Sequence, residues 1–247
     1  MKFTTLASSS SGNAYLVQGE GVAPLLLECG VSIKALREKI AFGLPGFSLF
    51  LSGLAGCLIS HAHGDHSKAA KSLLKAGVDC FMPAECARAL SVEDNHRVHM
   101  LVPEKEFVVN GFWIIPFELH HDVPCYGYLI ERQDGSMMRE RLLFVPDTEF
   151  VHNRFEGVNV LAIECNHEAG VLSQNIINGE VPQTLGRRIR RNHLGLSTVK
   201  DFILANNMQK TLREIHLIHL SNHNSDEARF IREIQELTGV PVYVAGE

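Results

Sequence analysis

The chain has no cysteine pair of the CxxC kind: its six cysteines, at 29, 57, 80, 86, 125 and 165, are dispersed. That spacing excludes a zinc ribbon and a dense disulfide framework, and fits free thiols in a reducing cytosol. Positive charge is also short. With 23 Lys and Arg against 28 Asp and Glu the net charge is −5, which argues against gripping duplex nucleic acid by bulk electrostatics and leaves room only for a local basic patch. Aromatic residues are 7% of the total and form no regular ladder on which single strands could stack. The opening MKFTTLASSSSGN has too short an apolar run for a secretory signal peptide. A Walker loop, a dinucleotide fingerprint and a nucleophile elbow are all missing, so the chemistries they serve lack their signatures.

One uncharged run, Ile40 to Ser60 (IAFGLPGFSLFLSGLAGCLIS), reaches membrane-spanning length. Its four glycines, one proline and three serines weaken a continuous helix, and it flows into a histidine motif that must meet water. A loop or broken helix followed by a buried strand is expected, with no membrane span.

At 247 residues, 45% hydrophobic and 21% charged, the chain is in the ordinary globular range. Short β-type runs (AYLVQ, PLLLECG, GCLIS, DCFMP, FWIIPFEL, YGYLIE, RLLFVP, NVLAIEC, EIHLIHL, VPVYVAG) alternate with turns or helical stretches at 32–40, 67–75, 168–178, 196–206 and 225–238. STVKDF and SDEARF each offer a serine start to a helix. Met137 and Met138 fall in a hairpin turn, DGSMMRE. The interleaving, without repeats or a linker, predicts one layered α/β domain over 1–247.

The chemistry is concentrated in CLISHAHGDHSKAA. There a strand ends and a tight turn through Gly64 would fold His61, His63, Asp65 and His66 toward one point, which a straight strand cannot do for all four. Imidazole nitrogen and carboxylate oxygen are the ligand set of Zn²⁺ or Mn²⁺ sites. Further ligand types stand where other β-type runs give way to loops: His120, His121 and Asp122; Asp147; His216, His219 and His223. His96, His99, His152, His167 and His223 have no second supporting feature and are expected to be ordinary residues.

These motifs resemble the metallo-β-lactamase fold superfamily. HxHxDH matches in full at 61–66, VPDT is similar to the bridging-aspartate segment and LIHLS to the last histidine motif. LASSSSGNAYLV and LLLECG resemble the WalJ/YycJ-like, ribonuclease Z-related branch, viewed as single-domain nucleases. The resemblance implies a four-layer αββα sandwich with metals at one sheet edge. It implies two divalent cations, one held by His61, His63 and His121, the other by Asp65, His66 and His219, with Asp147 bridging. His121 follows the family's His-Asp pattern, and His120 stays an alternative. Glu28 stands where the family commonly has an aspartate that orients the metal loop.

Such a pair implies hydrolysis by a hydroxide bridging the cations. The pair Glu164 and His193 resembles the proton shuttle of ribonuclease Z-like enzymes, with the carboxylate holding the ring. Beside it GRRIRRNH places Arg187, Arg188, Arg190 and Arg191 within five positions, a candidate strand-holding patch because guanidinium forks match phosphate oxygens. The SSSSGN loop, with Ser10, Ser11 and Asn13, could present N–H groups and hydroxyls to a phosphate. The leading expectation is a cytosolic phosphodiesterase acting on nucleic acid, single-stranded or at strand ends, with a homodimer as the default by analogy. Hydrolysis of small cyclic nucleotides, known in phage counter-defence proteins of this fold, is the runner-up. A non-phosphate metallo-hydrolase comes third, and a metal-binding regulator without turnover is the non-enzymatic alternative.

Overall fold

Strands that are apolar at consecutive positions need cover on both faces. In the computed structural model of the chain, which describes residues 1–43, 51–133 and 139–244, they have it. Leu142 and Phe144 enter a core between two sheets, whereas Leu143 and Val145 pack under outer helices. Leu25 and Leu27 face inward and Leu26 outward by the same two-residue period.

Among the described residues the first sheet has six strands, hydrogen-bonded in chain order: β1 (Lys2–Ala7), β2 (Ala14–Gln18), β3 (Leu25–Leu27), β4 (Gly56–Leu58), β5 (Cys80–Pro83) and β6 (Val98–Leu101). The second has seven: β7 (Phe107–Val109), β8 (Phe112–Leu119), β9 (Cys125–Gln133), β10 (Arg139–Val145), β11 (Val160–Glu164), β12 (Glu214–Ile218) and β13 (Val242–Val244), in the spatial order β13-β12-β11-β10-β9-β8-β7. Helices α1 (Ile33–Gly43), α2 (Gly64–Ser67), α3 (Ala70–Lys75) and α4 (Ala84–Ala89) belong to the first half. Helices α5 (Ala169–Ile177), α6 (Gln183–Asn192), α7 (Leu196–Ala205) and α8 (Glu227–Thr238) belong to the second.

Leu36, Leu73 and Cys86 seal the outer face of the first sheet; Val199, Phe202, Phe230 and Ile234 seal that of the second. The result is the expected four-layer αββα sandwich. Between the sheets Tyr15 meets Phe144 edge-on at 5.6 Å, and the Tyr128 hydroxyl donates to the Ile59 carbonyl at 2.7 Å. Strands β3 to β6 run parallel, as do β10 to β13, and β8 shares the direction of β10 because both are antiparallel to β9. Loops leaving β3, β4, β8, β10 and β12 therefore start at carboxyl ends of strands, where layered α/β sheets place their ligands.

All ten expected runs are strands. The three missed, β1, β6 and β7, are sheet edges with a half-exposed side, so they lack a continuous apolar signature. The stretch expected as one helix over 67–75 is two short ones, and α7 and α8 begin after Gly195 and Asp226 rather than at serines. Helix α6 escaped notice because its ten residues hold four arginines and only two large apolar side chains. Within Ile40 to Ser60 the described parts are the end of α1, a 3-10 turn at Leu51–Gly53 and β4; residues 44–50 lie outside the described residues, as do Met137 and Met138. No helix among the described residues is long and apolar enough to cross a membrane.

Phe144→Ala is expected to cost about 3–5 kcal/mol, because it empties a closed inter-sheet site. Val108→Ala, at a position 56% exposed, is expected to stay within about 0.5 kcal/mol. Urea unfolding of both variants checks the pair.

Candidate metal centre

His61 stands three residues past the end of β4, and Gly64 opens α2, which carries Asp65 and His66. The turn does not depend on glycine at 64, which has no positive φ and no neighbour near the Cβ it lacks. The glycine that matters is Gly30: a Cβ there would overlap the Asp65 carbonyl oxygen. Around it the metal-loop backbone is stitched to two other segments. Asn13 N–H donates to Asp65 O at 2.8 Å, Cys29 N–H to His66 O at 2.7 Å and Ala69 N–H to Cys29 O at 2.8 Å.

Two groups of ligand atoms gather the expected residues, and a third, of Asp147, Glu164, His193 and His219, adjoins them. His61 Nε2 lies 3.1 Å from His63 Nδ1, which lies 3.3 Å from His121 Nε2. Asp65 Oδ2 lies 3.4 Å from both His66 Nε2 and His219 Nε2, and Asp147 Oδ1 lies 3.4 Å from His66 Nε2. Ligands about 2.0–2.1 Å from a tetrahedral cation sit roughly 3.3–3.4 Å from one another, so both groups have the spacing of a coordination shell. Asp147 Oδ1 and His219 Nε2 are buried with no hydrogen-bond partner among the described residues, a state that bound cations relieve. The donor set fits two divalent ions.

The nitrogens turned away from these shells are held in place. His61 Nδ1 is 2.8 Å from Ser60 Oγ, His121 Nδ1 is 3.1 Å from the Asn192 carbonyl oxygen, and His66 Nδ1 is 3.6 Å from Glu28 Oε1. Such outer contacts fix ring tautomer and orientation. Glu28 takes up the orienting task of the usual aspartate: in the left-handed region at φ 59°, its fully buried carboxylate accepts the Ser60 N–H at 3.3 and 3.2 Å. His219 also has a positive φ, 55°, at a cost on the order of 1–3 kcal/mol. Ser8 Oγ accepts its N–H at 2.8 Å and the Asn166 side chain donates to its carbonyl at 2.9 Å.

Burial, and after it the charge of His66, pushes His61 well below the usual imidazole range; burial lowers His121 too, so both offer lone pairs. Burial also opposes charge on His66 and His219, but Asp147 outweighs it and raises both. Asp147 is in turn held well below the carboxylate range, against its burial, by His219 and His66.

Glu164 ends β11 fully buried. Its Oε1 lies 2.5 Å from His193 Nδ1 and 3.1 Å from His219 Nδ1, and its Oε2 accepts the Thr148 and Leu194 N–H groups, each at 3.1 Å. Burial works against a charged His193, and Glu164 outweighs it, so the ring's affinity for a proton rises. His193 is extended and follows α6, rather than starting a helix. It lines a cleft of about 830 Å³ together with His63, Asp65, His121, Asp147 and His219.

His121 is thus the inward member of its pair; His120 is 57% exposed, stacked on Phe150 and 3.1 Å from Glu149. His216 lies within β12 between the Phe3 and Tyr243 rings, apart from both ligand groups. The phosphate candidates divide. Ser10 and Arg188 line the cleft, whereas Ser11, Asn13, Arg187, Arg190 and Arg191 do not. Asn13 is fully buried, its amide 3.2 Å from Asp65 O and from His66 Nε2; Ser11 bonds to the Ser9 hydroxyl at 2.7 Å; Arg190 donates to Ser173 Oγ at 2.8 Å. The arginines wind around a helix, so only the face shared with Leu185 and Ile189 looks inward. Ser8, Ser60, Asn166 and the Asn192 carbonyl were missed as supports. Ser8 and Ser60 lie inside motifs already singled out, but single polar residues and backbone carbonyls carry no spacing signal of their own.

Over residues 25–176 the sequence matches the family described as the beta-lactamase superfamily domain. It is 24% identical over 239 residues to exodeoxyribonuclease YycJ of Bacillus anthracis, spanning 91% of this chain and 84% of that protein. It is 29% identical over 128 residues to ribonuclease Z of Lachnoclostridium phytofermentans, spanning 47% of this chain and 42% of that one. In structure it is similar to the metallo-beta-lactamase fold protein YhfI from Bacillus subtilis, with TM-score 0.72 and 18% identity over 98% of this chain and 95% of that one.

Metal analysis of dialysed protein is expected to show His61→Ala, His121→Ala and Asp65→Ala each losing about one equivalent of Zn²⁺ or Mn²⁺ relative to the parent, and His120→Ala none. Retention by His121→Ala with loss by His120→Ala would reverse the ligand choice. Metal at a hundredfold excess over its Kd should stabilise the fold by about 2.7 kcal/mol per site, read as a fall in Tm on chelation.

Proposed function

Because the chain belongs to the beta-lactamase superfamily, in its YycJ-like branch of metal-dependent hydrolases, we propose that it cleaves phosphodiester bonds in nucleic acid, working from strand ends. The observation that carries this reading is the 2.5 Å contact of Glu164 with His193 beside both ligand groups. A phosphodiester's leaving alkoxide needs a proton, and hydrolysis of a lactam or thioester gives this pair no evident task.

Two divalent cations, Zn²⁺ or Mn²⁺, which His61, His63 and His121 and Asp65, His66, Asp147 and His219 would hold, would supply an activated water and neutralise charge developing on the phosphate. Glu164 holds the His193 ring through Nδ1 and stabilises its protonated form. Nε2 is then the atom that passes a proton to the departing oxygen. Asp65 and Asp147 keep the ligand imidazoles aligned at the cleft floor. Arg188, in the cleft and 3.2 Å from Asp122, is the cation placed to meet a phosphate; Ser10 is the hydroxyl. The relatives' printed names, an exodeoxyribonuclease and a ribonuclease, support a polymer substrate. All six thiols are unpaired and buried, which supports a reducing compartment such as the cytosol.

One observation favours a second reading, hydrolysis of cyclic mononucleotides: three of the four arginines do not line the cleft, so a long strand has fewer grips than the sequence promised.

Zn- or Mn-loaded protein is expected to shorten end-labelled DNA or RNA, with Asp147→Ala inactive. Turnover of 3′,5′-cyclic nucleotides alone would select the second reading. His193→Ala should slow cleavage of a natural phosphodiester by about 10²–10⁴-fold and barely affect a 4-nitrophenyl ester, whose leaving group needs no proton. Equal losses on both substrates would remove His193 from the acid role. For a single-stranded substrate, Arg188→Ala should reduce the slope of log KM against log salt by about 0.7, the share of one phosphate contact.

A further inference from the structure

The cleft has an apolar side that the hydrolytic chemistry does not use. Helix α6 presents Leu185, Arg188 and Ile189 to it; spaced three and four positions apart, they are neighbours on one helix face. Val181, just before the helix, extends that surface. Leu185 is 45% exposed, a large aliphatic side chain left in water beside a cluster of charged groups. The exposed imidazole of His223, on the loop after β12, lines the same cleft.

Resting on the phosphodiesterase reading, we propose that Val181, Leu185, Ile189 and His223 form a slot for the nucleobase of the nucleotide whose phosphate lies over the metal-ligand groups. A sugar-phosphate chain has no apolar face to match aliphatic side chains. A base has two, and its polar edge suits an imidazole. A volume of about 830 Å³ is that of a small-ligand site, of order 300–1,000 Å³, and takes a nucleotide rather than a duplex.

The slot is held at a fixed distance from the reacting centre. Helix α6 is tied to it at the Asn192 carbonyl, 3.1 Å from His121 Nδ1, and at Arg188, 3.2 Å from Asp122. Leu185 lies about one turn, 5.4 Å, farther along the helix than Ile189. Only a base at a strand end, or one splayed out of its stack, can enter. The slot thus gives the enzyme a reason to work on unpaired ends without a basic strand-binding surface.

Two measurements on metal-loaded protein test it. Calorimetry compares thymidine 5′-monophosphate with 2-deoxyribose 5-phosphate, so that phosphate–metal contacts are common to both. The nucleotide is expected to bind about tenfold more tightly. Leu185→Asn combined with Ile189→Ala should abolish that preference, and Leu185→Phe, which adds a stacking surface at an exposed position, should increase it. Equal affinity for the two probes, or a preference that neither variant moves, overturns the slot. The second measurement is the ratio of hydrolysis rates for oligonucleotides with a normal and an abasic terminal residue, expected to fall toward unity in the double variant. Equal rates on both in the parent overturn the slot and leave the phosphodiesterase standing. Hydrolysis of neither overturns the phosphodiesterase reading, while calorimetry still decides the slot.

Discussion

Fully buried carboxylates set the terms for the rest of this molecule. Glu28, Asp147 and Glu164 stand at the end of an apolar sandwich, each at most 1% exposed, where an unpaired negative charge is costly. Imidazoles and backbone N–H groups gathered around them are what make such burial tolerable. The ligand loop, the left-handed His219 and the extended His193 follow from that need, since each brings a donor or a positive charge to one of these three groups.

The second dependence is steric. The metal loop lies against residues 28–30 and Asn13 so closely that position 30 admits no side chain. The site is therefore assembled from segments nearly the length of the chain apart: Ser8 in the first loop holds His219 in the last. A preorganised shell of this kind keeps ligands aligned without help from substrate. It also explains why the serine-rich loop, which looks like a phosphate cradle, spends two of its polar side chains, Ser8 and Asn13, inward and offers only Ser10 to the cleft.

Helix α6 joins the two functions argued for the cleft. Its last carbonyl orients His121, its following residue is His193, paired with Glu164, and its inward face mixes one guanidinium with aliphatic side chains. The acidic balance of the whole chain is then compatible with the proposed nucleic-acid substrate. Recognition of a single terminal nucleotide needs a local pocket, not a positively charged surface.

The sandwich and its cluster of ligand-type side chains were legible in the sequence. Short apolar runs bounded by turns and rich in β-branched or leucine side chains suit doubly covered strands, and HAHGDH packs four donors into six positions, so both signals are local. His219 and Asp147 were legible for a related reason: each stands just past the carboxyl end of a buried strand. Which of His120 and His121 faces inward was visible only in the tertiary structure, because adjacent residues after a strand point to opposite sides and nothing local says which side is the core. Only it sorted the four arginines, whose direction depends on a helix with too few apolar residues to reveal its own period. And only it showed that Glu28 still reaches the Ser60 N–H and the His66 ring, because the left-handed backbone that aims its longer side chain is set by contacts with distant segments.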